Sequence, residues 1–73
     1  MIYAEEKAML GKEFQVVEEW KIGNAKMKVG DRLTVMDYGS DGLSNYVVFE
    51  NNRLPQCRFM TGTWRFKRNT KPG

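Results

Sequence analysis

The sequence predicts an all-β fold: a small, strongly bent antiparallel sheet of about five short strands, with a short helix or arm at the N-terminus. Three observations predict it. Apolar residues recur at every second position in short runs, as in Leu33 and Val35, Phe14 and Val16, and Trp64 and Phe66, which is the period of a half-buried strand. The runs are separated by the turn signals Gly23-Asn24, Gly30-Asp31, Gly39-Ser40-Asp41-Gly42 and Asn51-Asn52, residues that tolerate the left-handed region or bond their own backbone. The chain has 73 residues, enough for one domain that buries only about 60% of the surface its unfolded form exposes. A sheet bent back on itself is the economical way for so few residues to cover an apolar face.

In chain order, Tyr3, Met9 and Leu10, together with Ile2, form one side of a short helix or an irregular arm that ends at Gly11; a helix this short is marginal alone. Lys12 to Ile22 reads as a strand in which Phe14, Val16 and Trp20 share a parity, with a bulge near Val17-Glu18. After Gly23-Asn24, residues 25–29 lead into the Gly30-Asp31 turn, where glycine reaches positive φ without a Cβ clash. Leu33 to Tyr38 is the clearest strand, followed by the Asp41-Gly42 loop and a strand over Asn45 to Glu50, a hairpin signature. From Arg53 to Met60 the chain returns as an edge strand, or as a loop before a strand near Cys57, because Pro55 cannot donate a ladder hydrogen bond. Trp64 to Arg68 reads as a last strand, its rings on one face and Arg65 and Lys67 on the other. The chain is expected to be a single domain over 1–73, with 1–11 as arm or helix and 69–73 as a frayed tail.

Composition bounds the function. The net charge is +3, but it is unevenly spread. Glu5, Glu6, Glu13, Glu18 and Glu19 face only Lys7 and Lys12 in the first twenty residues, whereas Arg53, Arg58, Arg65, Lys67, Arg68 and Lys71 occupy residues 51–73 without an acid. Such asymmetry hints at an anionic partner; alternatively, the two ends lie side by side and neutralise each other. The single cysteine, Cys57, allows no disulfide framework and fits a reducing compartment. The N-terminus does not read as a signal peptide, and no apolar run has the length to span a bilayer. A cytoplasmic protein without membrane contact is the expectation.

Catalysis finds little support. Without histidine the usual general base and metal ligand are missing. Cys57 has no imidazole to activate it and is expected to be buried and inert. Neighbouring carboxylates in Glu5-Glu6 and Glu18-Glu19 do not form a ready dyad on a strand, and are expected to be solvated. Asp37 and Asp41 lack the ligand spacing of a calcium loop, and no phosphate-binding glycine loop is present. Neither cofactor nor metal is expected.

Lys28-Val29-Gly30-Asp31-Arg32-Leu33-Thr34-Val35 resembles the turn-into-strand of SH3-like barrels, where a Lys-x-Gly-Asp-x-Leu-x-Val pattern recurs. The Asp41-Gly42 loop and the Tyr46-Val47-Val48 strand keep the expected order, so the resemblance covers a third to a half of the chain. The Ala-Leu-Tyr-Asp-Tyr opening and paired tryptophans of the proline-peptide binders are missing. The resemblance therefore implies the broader group, whose members often bind nucleic acid or dock on other proteins.

Two functions follow as expectations. The first is a small non-catalytic regulator that docks on a larger protein or nucleoprotein machine, as compact host-directed bacteriophage proteins do. Its docking candidates are Tyr3, Glu5, Glu6, Glu13, Glu18, Glu19 and Trp20, exposed tyrosine and tryptophan being favoured anchors. The alternative is a DNA- or RNA-binding module. It would grip phosphates through Lys26, Lys28, Arg58, Arg65, Lys67, Arg68 and Lys71 and stack bases on Phe59 or Trp64. What separates the two is whether those cations form one face free of carboxylates.

Overall fold

Glycine and asparagine punctuation cuts the chain into short strands, and the apolar alternation decides how they pair. The computed structural model describes residues 3–73. In chain order these form α1 (Ala4–Met9), β1 (Glu13–Val16), β2 (Trp20–Ile22), β3 (Ala25–Met27), β4 (Arg32–Ser40), β5 (Asn45–Asn51), β6 (Leu54–Gly62), α2 (Thr63–Asn69) and β7 (Thr70–Pro72). The fold is all-β with two short helices. One antiparallel sheet has five strands in the order β6-β5-β4-β1-β7, and β2 and β3 form a separate hairpin. Ile2, expected on the helix face, lies outside the described residues.

The alternating positions meet in a single core. Phe14, Val16, Leu33, Val35, Val47, Phe49, Met27, Trp20, Met9 and Phe66 are all buried together. The Phe49 ring centroid lies 5.1 Å from that of Phe66 and 5.8 Å from that of Phe59. β4 and β5 pair from Leu33↔Asn51 to Ser40↔Asn45, with one bulge between Val35 and Asp37 that leaves Met36 unpaired. At the hairpin tip the Asp41 carboxylate accepts from the Leu43 and Ser44 amides, both at 2.9 Å. Those Ser44 and Leu43 bonds hold its carboxyl below the ordinary range.

The Gly30-Asp31 turn is a structural hub. Gly30 takes a φ of 96°, where a Cβ would be strained. Asp31 accepts from the Lys28 amide at 2.9 Å, from Asn51 Nδ2 at 2.9 Å and from Arg53 Nη2 at 3.0 Å. Arg53 also donates to the Lys26 carbonyl, so this one side chain ties both the Gly30-Asp31 turn and the β2–β3 hairpin to the β5–β6 turn. Burial opposes ionisation of Asp31, but the bonds from Arg53, Asn51 and Lys28 outweigh it, and its carboxyl lies below the usual value.

Several expectations are corrected. Lys12 to Ile22 is two strands in different sheets, because the Val17 and Glu18 amides leave the ladder and donate to the Asn69 carbonyl at 2.8 and 3.2 Å. With β3 and β7 added and Trp64–Arg68 lost to a helix, the described residues form seven strands, five of them in the main sheet as expected. Trp64 to Arg68 is helical, with Thr63, Phe66 and Asn69 turned inward at a spacing of three. The tail expected to fray at 69–73 forms β7, registered as Val16↔Thr70 and Phe14↔Pro72, and the Gly73 amide bonds Glu13 O at 3.0 Å. Cys57 is exposed, not buried: register jumps from Glu50↔Arg58 to Asn51↔Leu54, so residues 55–57 bulge out of the pairing. Glu6 is buried, not solvated.

Candidate docking surface

Strand parity builds a second apolar surface on the side of the sheet away from the core. Val47 and Phe49 are fully buried, so Tyr46, Val48 and Glu50 point outward. Register sets Tyr46 between Gly39 and Gly62, Val48 between Asp37 and Met60, and Glu50 between Thr34 and Arg58. Two glycines make room for rings. A Cβ on Gly39 would stand 2.5 Å from the Tyr46 hydroxyl oxygen, so that ring lies across the glycine. A Cβ on Gly62 would meet the Trp64 indole at 3.5 Å, which seats Trp64 at the end of the same row. The exposures of Met60 at 57%, Trp64 at 58% and Met36 at 39% are high for such large apolar side chains. Large apolar side chains left exposed in this way suit a contact site. The Arg65 guanidinium lies 5.4 Å from the Trp64 ring centroid, within cation–π range.

The predicted cations do not form one carboxylate-free face. Arg58 Nε donates to Glu50 at 3.2 Å, Lys67 Nζ to Glu5 at 2.9 Å, and Lys26 lies 3.8 Å from Glu19. Lys26 is in the separate hairpin and Lys28 just after it, whereas Arg58 and Lys71 lie on β6 and β7, the two ends of the strand order. Arg65, Arg68, Lys28 and Lys71 have no ion-pair partner among the described residues. Of the stacking candidates, Phe59 is half-buried against the core and Trp64 is exposed.

The acidic candidates are largely engaged within the fold. Glu5 is paired as above, Glu13 accepts from Arg32 at 3.0 Å, and Glu19 faces Lys26. Buried Glu6 accepts from the Thr63 hydroxyl at 2.6 Å and from Asn45 Nδ2 at 3.4 Å. Tyr3 is half-buried, its ring 5.2 Å from Tyr38. Trp20 belongs to the core, 6.3 Å from Phe49. Only Glu18 is exposed with no ion-pair partner among the described residues.

The residues that sequence reasoning missed are Met36, Tyr46, Val48 and Met60. A signal was present: four consecutive apolar residues, Tyr46-Val47-Val48-Phe49, cannot all face one side of a strand. No group of three or more His, Cys, Asp or Glu able to hold a metal occurs among the described residues, and no described helix is long and apolar enough to cross a membrane. No protein-family model, curated protein or solved structure matches the chain.

Proposed function

We propose that this chain is a small non-catalytic regulator of SH3-like barrel form that docks on a larger protein through the outer face of β4, β5 and β6. The observation that carries this reading is the row of Met60, Val48 and Tyr46 ending in exposed Trp64, an apolar surface the core does not use. Tryptophan beside arginine is a favoured anchor composition. The barrel form draws support from the β4–β5–β6 meander and from β1, which lies between β4 and β7 and brings first and last strands together.

The test compares capture of a partner from cell lysate by the wild type, by Trp64→Ala, by Met60→Glu and by a distant control, Glu18→Lys. A partner retained by the wild type and control but lost with the two face variants supports the reading. Capture unchanged by both face variants overturns it.

The second reading, nucleic-acid binding, draws on Arg65 beside the exposed Trp64 and on Arg68 and Lys71, which have no ion-pair partner among the described residues. Titration with short single- and double-stranded DNA and RNA at rising salt tests it, since phosphate contacts give a linear loss of log affinity with log salt.

A further inference from the structure

We propose that the free edge of β6 accepts an extended acidic segment of a partner protein as an added strand. This rests on the docking reading above and names its mode and its partner's chemistry.

β6 pairs with β5 on one side and stands at the end of the strand order on the other. β2 comes close to β6, but no backbone hydrogen bond joins residues 55–62 to it or to anything else beyond β5 among the described residues. An unpaired edge is a template for another chain, and proteins blunt such edges with charge, proline or bulges. Here all three devices sit at one end: Arg53, Pro55, the bulge at 55–57 and Arg58. Phe59-Met60-Thr61-Gly62 carries none of them, and its ladder with β5 is regular from Phe49↔Phe59 to Tyr46↔Gly62.

The side chains beside this edge suit an added strand. Phe59 turns inward against Phe49, while Met60 stands outward and exposed. Gly62 offers no side chain, and the Trp64 ring lies against it. An incoming strand would bond the open main chain, and its outward apolar residue would lie beside Met60 and Trp64. Main-chain bonds then supply affinity and alternate side chains supply specificity.

Charge selects the occupant. Residues 51–73 contain no Asp or Glu; Arg58 and Lys67 are offset by Glu50 and Glu5, which leaves Arg65 and Arg68 as the uncompensated charge at the Gly62 end of the edge. Arg65 and Arg68 flank the anchor without ion-pair partners among the described residues. A second copy offers no Asp or Glu from residues 51–73 to these arginines, so the same edge of another copy lacks the complementary charge. A segment carrying Asp or Glu beside an apolar residue is complementary.

The experiment selects a random dodecapeptide display library on the full chain and then follows amide exchange with a selected peptide. Selected peptides should be acidic, with an apolar residue between carboxylates. Saturation with such a peptide should slow the fast-exchanging amides within 58–62 by about tenfold or more, as expected for amides that gain main-chain partners. Arg65→Glu together with Arg68→Glu should abolish selection of acidic peptides. The proposal is overturned if selected peptides are neutral or basic, if no peptide is enriched, or if protection falls on β7 or the β2–β3 hairpin instead. It is equally overturned if the free protein sediments as a dimer with this edge already protected. Partner capture that still depends on Trp64 and Met60 alongside any of these results would leave the docking reading standing and remove strand addition alone.

Discussion

The Thr63 hydroxyl donates a 2.6 Å hydrogen bond to the Glu6 carboxylate, joining the first turn of α2 to the middle of α1. One turn further along α2, Lys67 reaches Glu5 at 2.9 Å. The acidic start and basic end of the chain therefore meet, and part of their charge asymmetry is spent between two short helices. The Lys67–Glu5 pair is exposed and adds little. The Thr63–Glu6 bond is buried, and a hydrogen bond to a charged group is worth about 1.5–3 kcal/mol. A double-mutant cycle of Glu6→Ala and Thr63→Ala, read by urea unfolding, should show a coupling of about 1–3 kcal/mol. Both single variants should speed amide exchange in α1, because an isolated helix of that length does not hold itself. A coupling near zero would show that this bond does not fasten α1 to α2.

Asp31 should shape the acid limb of stability. Its carboxyl lies lower in the folded chain than in a free one, because the bonds from Arg53, Asn51 and Lys28 outweigh its burial. A depressed folded value gives stability that is fully present above the unfolded pKa of about 4 and lost as pH falls through the folded value. Urea midpoints of the wild type should therefore fall on acidification from about pH 4 downward. Asp31→Asn should lower the midpoint at neutral pH and flatten that fall. Parallel pH curves for the two proteins would show that Asp31 does not supply the linkage.

Much of the fold was legible because strand alternation is local. Leu33 and Val35, and Phe14 and Val16, are buried as their spacing implies, and the turn signals fall between strands or at their ends. Helix α2 was not legible. Two of its three buried positions, Thr63 and Asn69, are polar, so the spacing of three leaves no apolar trace, whereas Trp64 and Phe66 imitate a strand. The break after Val16 was hidden for a different reason: the Val17 and Glu18 amides bond Asn69, a partner no local window contains. The outer row of the docking surface was legible in the apolar run at 46–49. Its end at Trp64 depends on where α2 begins, and so on the helix that the pattern concealed.

The Tyr46 ring should act as a lid over Gly39. An added Cβ would stand 2.5 Å from its hydroxyl oxygen and 2.7 Å from Cζ, so Gly39→Ala must move the ring. Overpacking of this sort costs about 1–3 kcal/mol where neighbours cannot give. The clashing atoms end a half-buried side chain, so the cost should fall at the lower end. Gly39→Ala with Tyr46→Ala should be more stable than the sum of the two single effects, because the clash is gone. Additive losses in urea unfolding would show that the ring and an added methyl group do not compete for this space.

The two tryptophans should behave in opposite ways. Trp20 packs into the core, yet its indole Nε1 is buried with no hydrogen-bond partner among the described residues. An unpaired buried donor costs about 1–3 kcal/mol. Trp20→Phe removes that donor and keeps most of the ring, so the gain offsets the small cavity and stability should stay within about 1 kcal/mol of the wild type. Trp20→Ala leaves a cavity and should cost about 3–5 kcal/mol. Trp64 is 58% exposed, so Trp64→Ala should change stability by about 0.5 kcal/mol or less while removing partner capture. Urea unfolding of the three variants beside the capture assay separates the core ring from the contact ring. A large loss of stability with Trp64→Ala would make that ring structural and take the anchor from the proposed surface.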